Sequence, residues 1–125
     1  MGAFAVANAS PRMPWVSTIA VESPYPTFNA WYGERKEARM MSLFDRAFPR
    51  SSAAIQGVRN IARAEQKRIL VAWSDADAVT PPALSRQVAR AAPPERTTEV
   101  EIKGAPHLEF LATREYREAL LRHFG

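Results

Sequence analysis

The chain has 125 residues, carries 17 lysines and arginines against 13 aspartates and glutamates, and contains no cysteine. This length fits one domain and excludes two full ones, and the absence of cysteine excludes disulfides and thiol chemistry. The net charge of +4 is spread along the chain instead of forming a basic block, so we expect no nucleic-acid partner.

No apolar stretch approaches the roughly 20 residues that a membrane-spanning helix needs, so we expect no membrane partner. The opening segment MGAFAVANAS lacks the basic region of a signal peptide. These features predict a cytoplasmic protein with a single domain over residues 1–125.

The first part of the chain predicts one helix and one strand. Small apolar residues over 2–9 favour a short buried helix, which must end before Pro11. The β-branched residues that follow predict a buried strand over about 16–22, ended by the rigid Pro-Tyr-Pro turn at 24–26.

Residues 24–64 form the least regular part of the pattern. They mix aromatic and charged side chains and predict a partly helical excursion. Within it, helices are expected over 36–48 and over about 51–64.

The second half predicts two strands and two helices. The continuous apolar run over 68–73 is typical of a strand covered on both faces. A helix is expected over 81–92, a third strand over 98–103, and a final helix capped by Thr113. The packed side of that helix is expected to carry Tyr116, Ala119, Leu120 and Phe124. Strands separated by helices imply crossovers and a parallel sheet, so the predicted class is α/β.

Polar residues follow the predicted strands, at the edge where parallel sheets bind ligands. Glu22 and Ser23 end the first strand, Asp75 and Asp77 follow the second, and His107 follows the third. An aspartate and a histidine at one edge can pair, the carboxylate accepting from one ring nitrogen while the other faces a substrate. This is the base half of a nucleophilic triad. The alternative is that the aspartate only forms a turn and the histidine is only solvated.

These segments resemble the acid and histidine loops of the α/β-hydrolase fold family. Residues 69–82, ILVAWSDADAVTPP, are similar to the strand and loop that carry the acid. The resemblance assigns the acid to Asp77 and leaves Asp75 to stabilise the turn. Residues 100–107, VEIKGAPH, are similar to the last strand and its Gly-x-x-His loop, which assigns His107 as the general base.

The chain contains no Gly-x-Ser-x-Gly motif for the nucleophile. Residues 1–9 are similar to the segment that follows the nucleophile in this family, with Gly2 as the last glycine of the elbow. The nucleophile is then expected immediately before Met1, whose backbone N–H is expected to donate to the oxyanion. The chain would correspond to the C-terminal half of such an enzyme, either as a true fragment or because the start was placed too late, with 24–64 as its cap and His123 as a surface bystander.

The resemblance implies hydrolysis of a small-molecule ester- or amide-like substrate by a nucleophile–His–Asp triad, with no cofactor and no metal. Because only the acid and the base are present, we expect no activity from the chain alone. Aromatic residues of the excursion either line an apolar substrate pocket or simply pack on the sheet: Tyr25, Phe28, Trp31 and Tyr32.

The strand over 16–22 is expected to lack a neighbour on one side, which would promote self-association. Trp15 and Trp73 are expected to add exposed apolar surface. One alternative function is therefore a non-catalytic, hydrolase-derived interaction module or degenerate fragment. Another is a haloacid-dehalogenase-type phosphatase, because Asp75 and Asp77 resemble its Mg²⁺-binding first motif, although no aspartate follows Asp77.

Overall fold

A computed structural model describes residues 2–26, 61–63 and 67–125. These residues form the helices and strands α1 (Gly2–Ala9), β1 (Thr18–Glu22), β2 (Arg68–Ser74), α2 (Pro82–Ala91), β3 (Thr97–Ile102) and α3 (Arg114–Phe124). Short 3₁₀ helices cover Ser10–Arg12, Pro94–Arg96 and Glu109–Ala112. The helices predicted over 36–48 and 51–64 lie outside the described residues, apart from 61–63. None of the helices in the described ranges is long and apolar enough to cross a membrane.

The described strands form one open parallel sheet in the order β1-β2-β3, which confirms the predicted class and strand arrangement. In the register of the first pair, Ile19 lies opposite Ile69. β1 begins at Thr18, two residues later than predicted, because the chain turns just before it. In that turn the Val16 N–H donates to the Met13 carbonyl at 3.0 Å.

A buried lysine fixes this turn to the start of β2. The Lys67 Nζ donates to the carbonyls of Met13, at 2.7 Å, and of Val16. A buried ammonium is costly unless it forms hydrogen bonds, and these carbonyls accept two of its three N–H groups. The loop before β1 is therefore held to the sheet by a polar contact inside the fold.

The central strand β2 is covered on both faces because its side chains alternate in direction. Ile69, Val71 and Trp73 pack in the cluster that also contains residues of α1 and α2. Leu70 and Ala72 pack on the opposite face, against α3. Trp73 is only 3% exposed, so the expectation that it adds exposed apolar surface is wrong. Its position in the alternation points it into the core.

The final helix begins where the sequence predicts. The Oγ1 of Thr113 accepts the backbone N–H of Tyr116 at 3.3 Å, which satisfies one free donor of the first turn. Just before this cap, Phe110 packs edge-on against Tyr116, with ring centroids 5.6 Å apart. This contact anchors the segment between β3 and α3 to the sheet.

The packed face of α3 differs from the prediction at its last turn. His123 is 5% exposed, with its Nε2 3.0 Å from the carbonyl oxygen of Ile19, whereas Phe124 is 56% exposed. The expectations of a surface His123 and a packed Phe124 are therefore wrong. His123 follows the buried Ala119 by four residues, the spacing that keeps two side chains on one helix face.

One edge of the sheet has no partner strand among the described residues, because β1 pairs there only with β2. Beside β1 is an open apolar groove of about 420 Å³. Its lining comprises Ala5, Val6, Ala9, Ser10, Met13, Val16 and Ile19. Trp15, which lies in sequence between the lining residues Met13 and Val16, is 76% exposed, as expected. Self-association through this edge stays a prediction.

Replacing Phe110 with alanine tests how the segment after β3 is anchored. Phe110 is fully buried, so Phe110→Ala should lower the free energy of unfolding by about 3–5 kcal/mol, measured by urea titration. The control is Leu121→Ala on α3, which removes a side chain that is 74% exposed and should change stability by less than about 0.5 kcal/mol. Equal effects of the two variants would contradict the burial of Phe110 against the sheet.

Sedimentation velocity over a range of concentrations tests the open edge. We expect concentration-dependent self-association that weakens in Val6→Lys, because this change places a charge in the apolar groove. Leu121→Lys places the same charge on exposed surface of α3 and should leave association unchanged. A monomer at every concentration would contradict the prediction.

Candidate active site

The carboxyl ends of all three described strands lie at the same end of the sheet. Ser23 follows β1, Asp77 lies in the loop after β2, and His107 lies in the loop after β3. Asp77 and His107, which the sequence predicts to form a pair, lie together there, with the Nδ1 of His107 2.7 Å from the Oδ2 of Asp77. Met1, the expected oxyanion donor, lies outside the described residues.

The side chain of Asp77 is fully buried, and polar groups contact both of its oxygens. Oδ1 accepts the backbone N–H groups of Val79 and Thr80, at 2.9 and 2.7 Å. Oδ2 faces His107 and also accepts the hydroxyl of Ser23 at 2.7 Å. Burial raises the pKa of Asp77, but its hydrogen bonds outweigh that effect and hold the pKa below its ordinary value of 3.8. Asp77 is therefore ionised at neutral pH.

The ionised carboxylate determines which ring nitrogen of a neutral His107 carries the proton. A carboxylate only accepts hydrogen bonds, so we assign the proton of the neutral imidazole to the Nδ1 of His107. Nε2 is then the unprotonated nitrogen. The side chain of His107 is 26% exposed and lines a cavity of about 200 Å³. The pair therefore combines a buried carboxylate with a partly exposed imidazole ring beside a cavity.

The loops that carry the two residues are joined to each other. The hydroxyl of Ser74 donates to the carbonyl of Ala105 at 2.5 Å, and the Asp75 N–H donates to the Ile102 carbonyl at 3.0 Å. The Oδ1 of Asp75 accepts the N–H of Gly104 at 2.7 Å. Gly104 has a φ of 69°, which a residue with a side chain rarely adopts. Asp75 therefore stabilises the turn that leads to His107.

Two described residues other than glycine have positive φ angles, and both line the cavity. Ser23 has a φ of 44° and Leu108 a φ of 67°. Such conformations cost about 1–3 kcal/mol each and persist where surrounding contacts enforce them, commonly at functional sites. Their position beside the Asp77–His107 pair is a second, independent indication that a functional site lies at this end of the sheet.

The first residues of α1 and the end of β1 also line the cavity. Gly2 and Ala3 lie on its wall, as does Glu22. The hydroxyl of Tyr116 donates to the Oε1 of Glu22, and burial together with this carboxylate raises the pKa of Tyr116. The N-terminal end of α1 therefore borders the same cavity as His107. A helix N-terminus favours negative charge.

Asp77 and His107 were expected to pair and do so, whereas the contacts that Ser23, Glu22 and Tyr116 make were not expected. Ser23 and Glu22 gave one usable signal, their place at the carboxyl end of a strand. Tyr116 gave none, because its contact with Glu22 joins residues that are 94 positions apart. Across residues 2–26, 61–63 and 67–125, no group of three or more acidic or histidine side chains could hold a metal ion.

The pKa of Asp77 gives the pair a testable pH dependence. A pKa lower in the folded than in the unfolded chain means that ionised Asp77 stabilises the fold above pH 3.8. This stabilisation is lost as the pH falls through the folded pKa. Asp77→Asn should lower the free energy of unfolding by about 1–3 kcal/mol at neutral pH, because it leaves buried donors without the carboxylate.

Urea unfolding at a series of pH values measures this effect. The difference between wild type and Asp77→Asn should shrink as the pH falls below 3.8. Glu99→Gln, which neutralises an exposed carboxyl on β3, should show no such trend. A difference for Asp77→Asn that stays constant at every pH would contradict a lowered pKa.

No protein-family model matches the chain, and no curated protein matches it. Solved structures do. A puromycin-hydrolyzing peptidase from Mycobacterium tuberculosis matches with a TM-score of 0.79 and 18% identity, over 99% of this chain and 20% of that one. The esterase domain of a Rhodothermus marinus protein matches with a TM-score of 0.68 and 12% identity, over 98% and 56%. An α/β hydrolase from a Medee basin deep-sea metagenome library matches with a TM-score of 0.68 and 13% identity, over 99% and 62%.

The chain thus spans between 20% and 62% of the length of these three solved chains. At such identities the similarity concerns the fold. It agrees with the open parallel sheet and with the resemblance of the acid and histidine loops. This chain has a partial α/β-hydrolase fold.

Proposed function

We propose that this chain carries the acid and base of an α/β-hydrolase active site, which cleaves an ester or another acyl bond. Asp77 is the acid, His107 is the general base, and the nucleophile belongs immediately before Met1 in a longer protein. The observation that carries the proposal is the 2.7 Å contact between the Nδ1 of His107 and the buried Oδ2 of Asp77, beside a cavity. The peptidase and esterase descriptions of the similar structures agree with it.

In the proposed reaction, the Nε2 of His107 takes the proton of the nucleophile as the nucleophile attacks the substrate carbonyl. Asp77 stabilises the imidazolium that forms, and His107 then gives the proton to the leaving group. In the second half of the reaction, the Nε2 of His107 takes a proton from water as the water attacks the acyl group, and then returns the proton to the nucleophile as the acid product leaves. No step requires a metal or a cofactor.

The position of α1 supports the place proposed for the nucleophile. Gly2 and Ala3 border the cavity that His107 lines, so a residue just before them in sequence would enter the same region. The N-terminus of a helix also favours the negative charge of an oxyanion. The backbone N–H of Met1 is the oxyanion donor in this proposal.

The cavity supports a small substrate with an apolar acyl or alcohol group. Its apolar lining includes Tyr25, Val79, Leu108 and Leu111. Of the four aromatic residues considered from the sequence, Tyr25 lines this cavity, and Phe28, Trp31 and Tyr32 lie outside the described residues. We propose an ester- or amide-like small molecule as the substrate.

The phosphatase alternative has less support from the geometry. Both oxygens of Asp77 are engaged by hydrogen-bond donors in a buried position, which leaves little room for Mg²⁺. One carboxylate oxygen of Asp75 accepts the N–H of Gly104, and the other forms an ion pair with Lys103. The interaction-module alternative is favoured by the apolar groove beside β1.

Hydrolysis of p-nitrophenyl acetate tests the proposal. The chain alone should show no turnover above background, and His107→Ala should not change that rate. A protein extended upstream in frame to include a Gly-x-Ser segment before Met1 should turn over. His107→Ala should then lower its kcat by at least about a thousandfold, because a triad without its base loses most of its catalysis.

The other histidine provides the matched control. His123→Gln changes a residue at the opposite end of the sheet and keeps a donor near the carbonyl of Ile19. It should retain activity in the extended protein, with the fold checked by circular dichroism. Turnover by the 125-residue chain that disappears in His107→Ala would overturn the proposed inactivity. Activity of the extended protein that survives His107→Ala would overturn the role of His107.

A further inference from the structure

We propose that Ser23 is a positioning residue, whose hydroxyl fixes the Asp77 carboxylate in the orientation that holds His107. The inference rests on the proposed function, and it concerns a residue that neither the acid loop nor the histidine loop contains. Ser23 is buried directly after β1, and its hydroxyl donates to the Oδ2 of Asp77 at 2.7 Å.

The two oxygens of Asp77 are held by different parts of the fold. Both donors to Oδ1 are backbone N–H groups of its own loop, from Val79 and Thr80. They allow the carboxylate to move with that loop. The donor from Ser23 comes from another strand, 54 residues away in sequence, and contacts the same oxygen that faces His107. Ser23 therefore links the carboxylate to β1.

The backbone around Ser23 is fixed on both sides. Its N–H donates to the carbonyl of Ala72 at 2.8 Å and so extends the pairing of β1 with β2. The next carbonyl, of Pro24, accepts the hydroxyl of the buried Ser85 in α2 at 2.9 Å. The hydroxyl of Ser23 is consequently presented to Asp77 from a well-anchored segment.

The conformation of Ser23 separates the role of its hydroxyl from the role of its backbone. Its φ of 44° is a conformation that glycine adopts without strain and a residue with a side chain rarely adopts. Glycine would therefore satisfy the backbone at this position better than serine does. What serine adds is the hydroxyl, and that hydroxyl is bonded to Asp77.

This contact also argues against Ser23 as the nucleophile. Its hydroxyl donates to the carboxylate, which is the acid of the pair, and its side chain is buried. A nucleophile would instead donate to the Nε2 of His107 and be open to the substrate. The geometry assigns Ser23 to the support of the acid.

The test uses Ser23→Gly and Ser23→Ala in the 125-residue chain, with NMR as the readout. The resonance of the Nδ1 proton of His107 reports its contact with Asp77, and the carboxyl carbon of Asp77 reports its titration. We expect both variants to shift the His107 resonance. Both should also raise the pKa of Asp77, because the hydroxyl is one of the donors that lower it. Both variants lose a buried hydrogen bond to a carboxylate, which lowers the Tm, but Ser23→Gly also relieves the positive φ and should therefore lower the Tm less than Ser23→Ala does.

Ser10→Ala is the matched control, because it removes another buried serine hydroxyl that donates to a carbonyl, of Ala7, at 3.1 Å. It should lower the Tm and leave the signals of Asp77 and His107 unmoved. Unmoved signals in Ser23→Gly would overturn the positioning role, whatever the Tm does. If Ser23→Ala unfolds, Ser23→Gly alone decides.

Kinetics in an active, upstream-extended protein separate this inference from the proposed function. There Ser23→Gly should lower kcat by about tenfold to a hundredfold with little change in KM, as expected for a misplaced catalytic group. An extended protein without activity would overturn the proposed function, while the NMR shifts in the shorter chain would still establish the link from Ser23 to Asp77. Unchanged kcat would overturn the positioning role in catalysis.

Discussion

The buried, ionised carboxylate of Asp77 is the constraint on which the candidate site depends. Removing a carboxylate from water costs several kcal/mol unless hydrogen-bond donors surround it. Those donors are Val79 and Thr80 in its own loop, Ser23 after β1, and His107 after β3. Each donor segment must therefore reach the same point, and in this fold the aligned carboxyl ends of parallel strands bring them there. The charge and the sheet topology are thus parts of one arrangement.

The central strand β2 makes that alignment possible. It pairs with β1 on one side and with β3 on the other, and helices cover both of its faces, so every side chain from Ile69 to Ser74 is buried. Burial of each large aliphatic side chain contributes about 1.5–3 kcal/mol, and this adds to the backbone pairing of β2 with both neighbours. Polar contacts are concentrated at its ends. Lys67 holds the loop before β1 at one end, and Ser74 with Asp75 holds the histidine loop at the other.

The two residues of the pair differ in their exposure to solvent. Asp77 is fully buried, His107 is partly exposed, and two strained backbone positions, Ser23 and Leu108, line the same cavity as His107. Strain of this kind is stable only where neighbouring contacts enforce it. A buried acid with fixed donors can hold an imidazole in one tautomer. This division of roles follows from where each loop leaves the sheet.

The sequence by itself determined the local features of this protein. Hydrophobic periodicity predicted the strands, Thr113 predicted the start of α3, and the resemblance of two loops selected Asp77 and His107. Each of these depends on neighbours in sequence or on a short motif. The tertiary structure decided the burial of His123 and the contact of Ser23 with Asp77, which join residues 104 and 54 positions apart. Periodicity cannot detect such contacts, because they depend on how separate strands and helices pack, and that packing exists only in the folded chain.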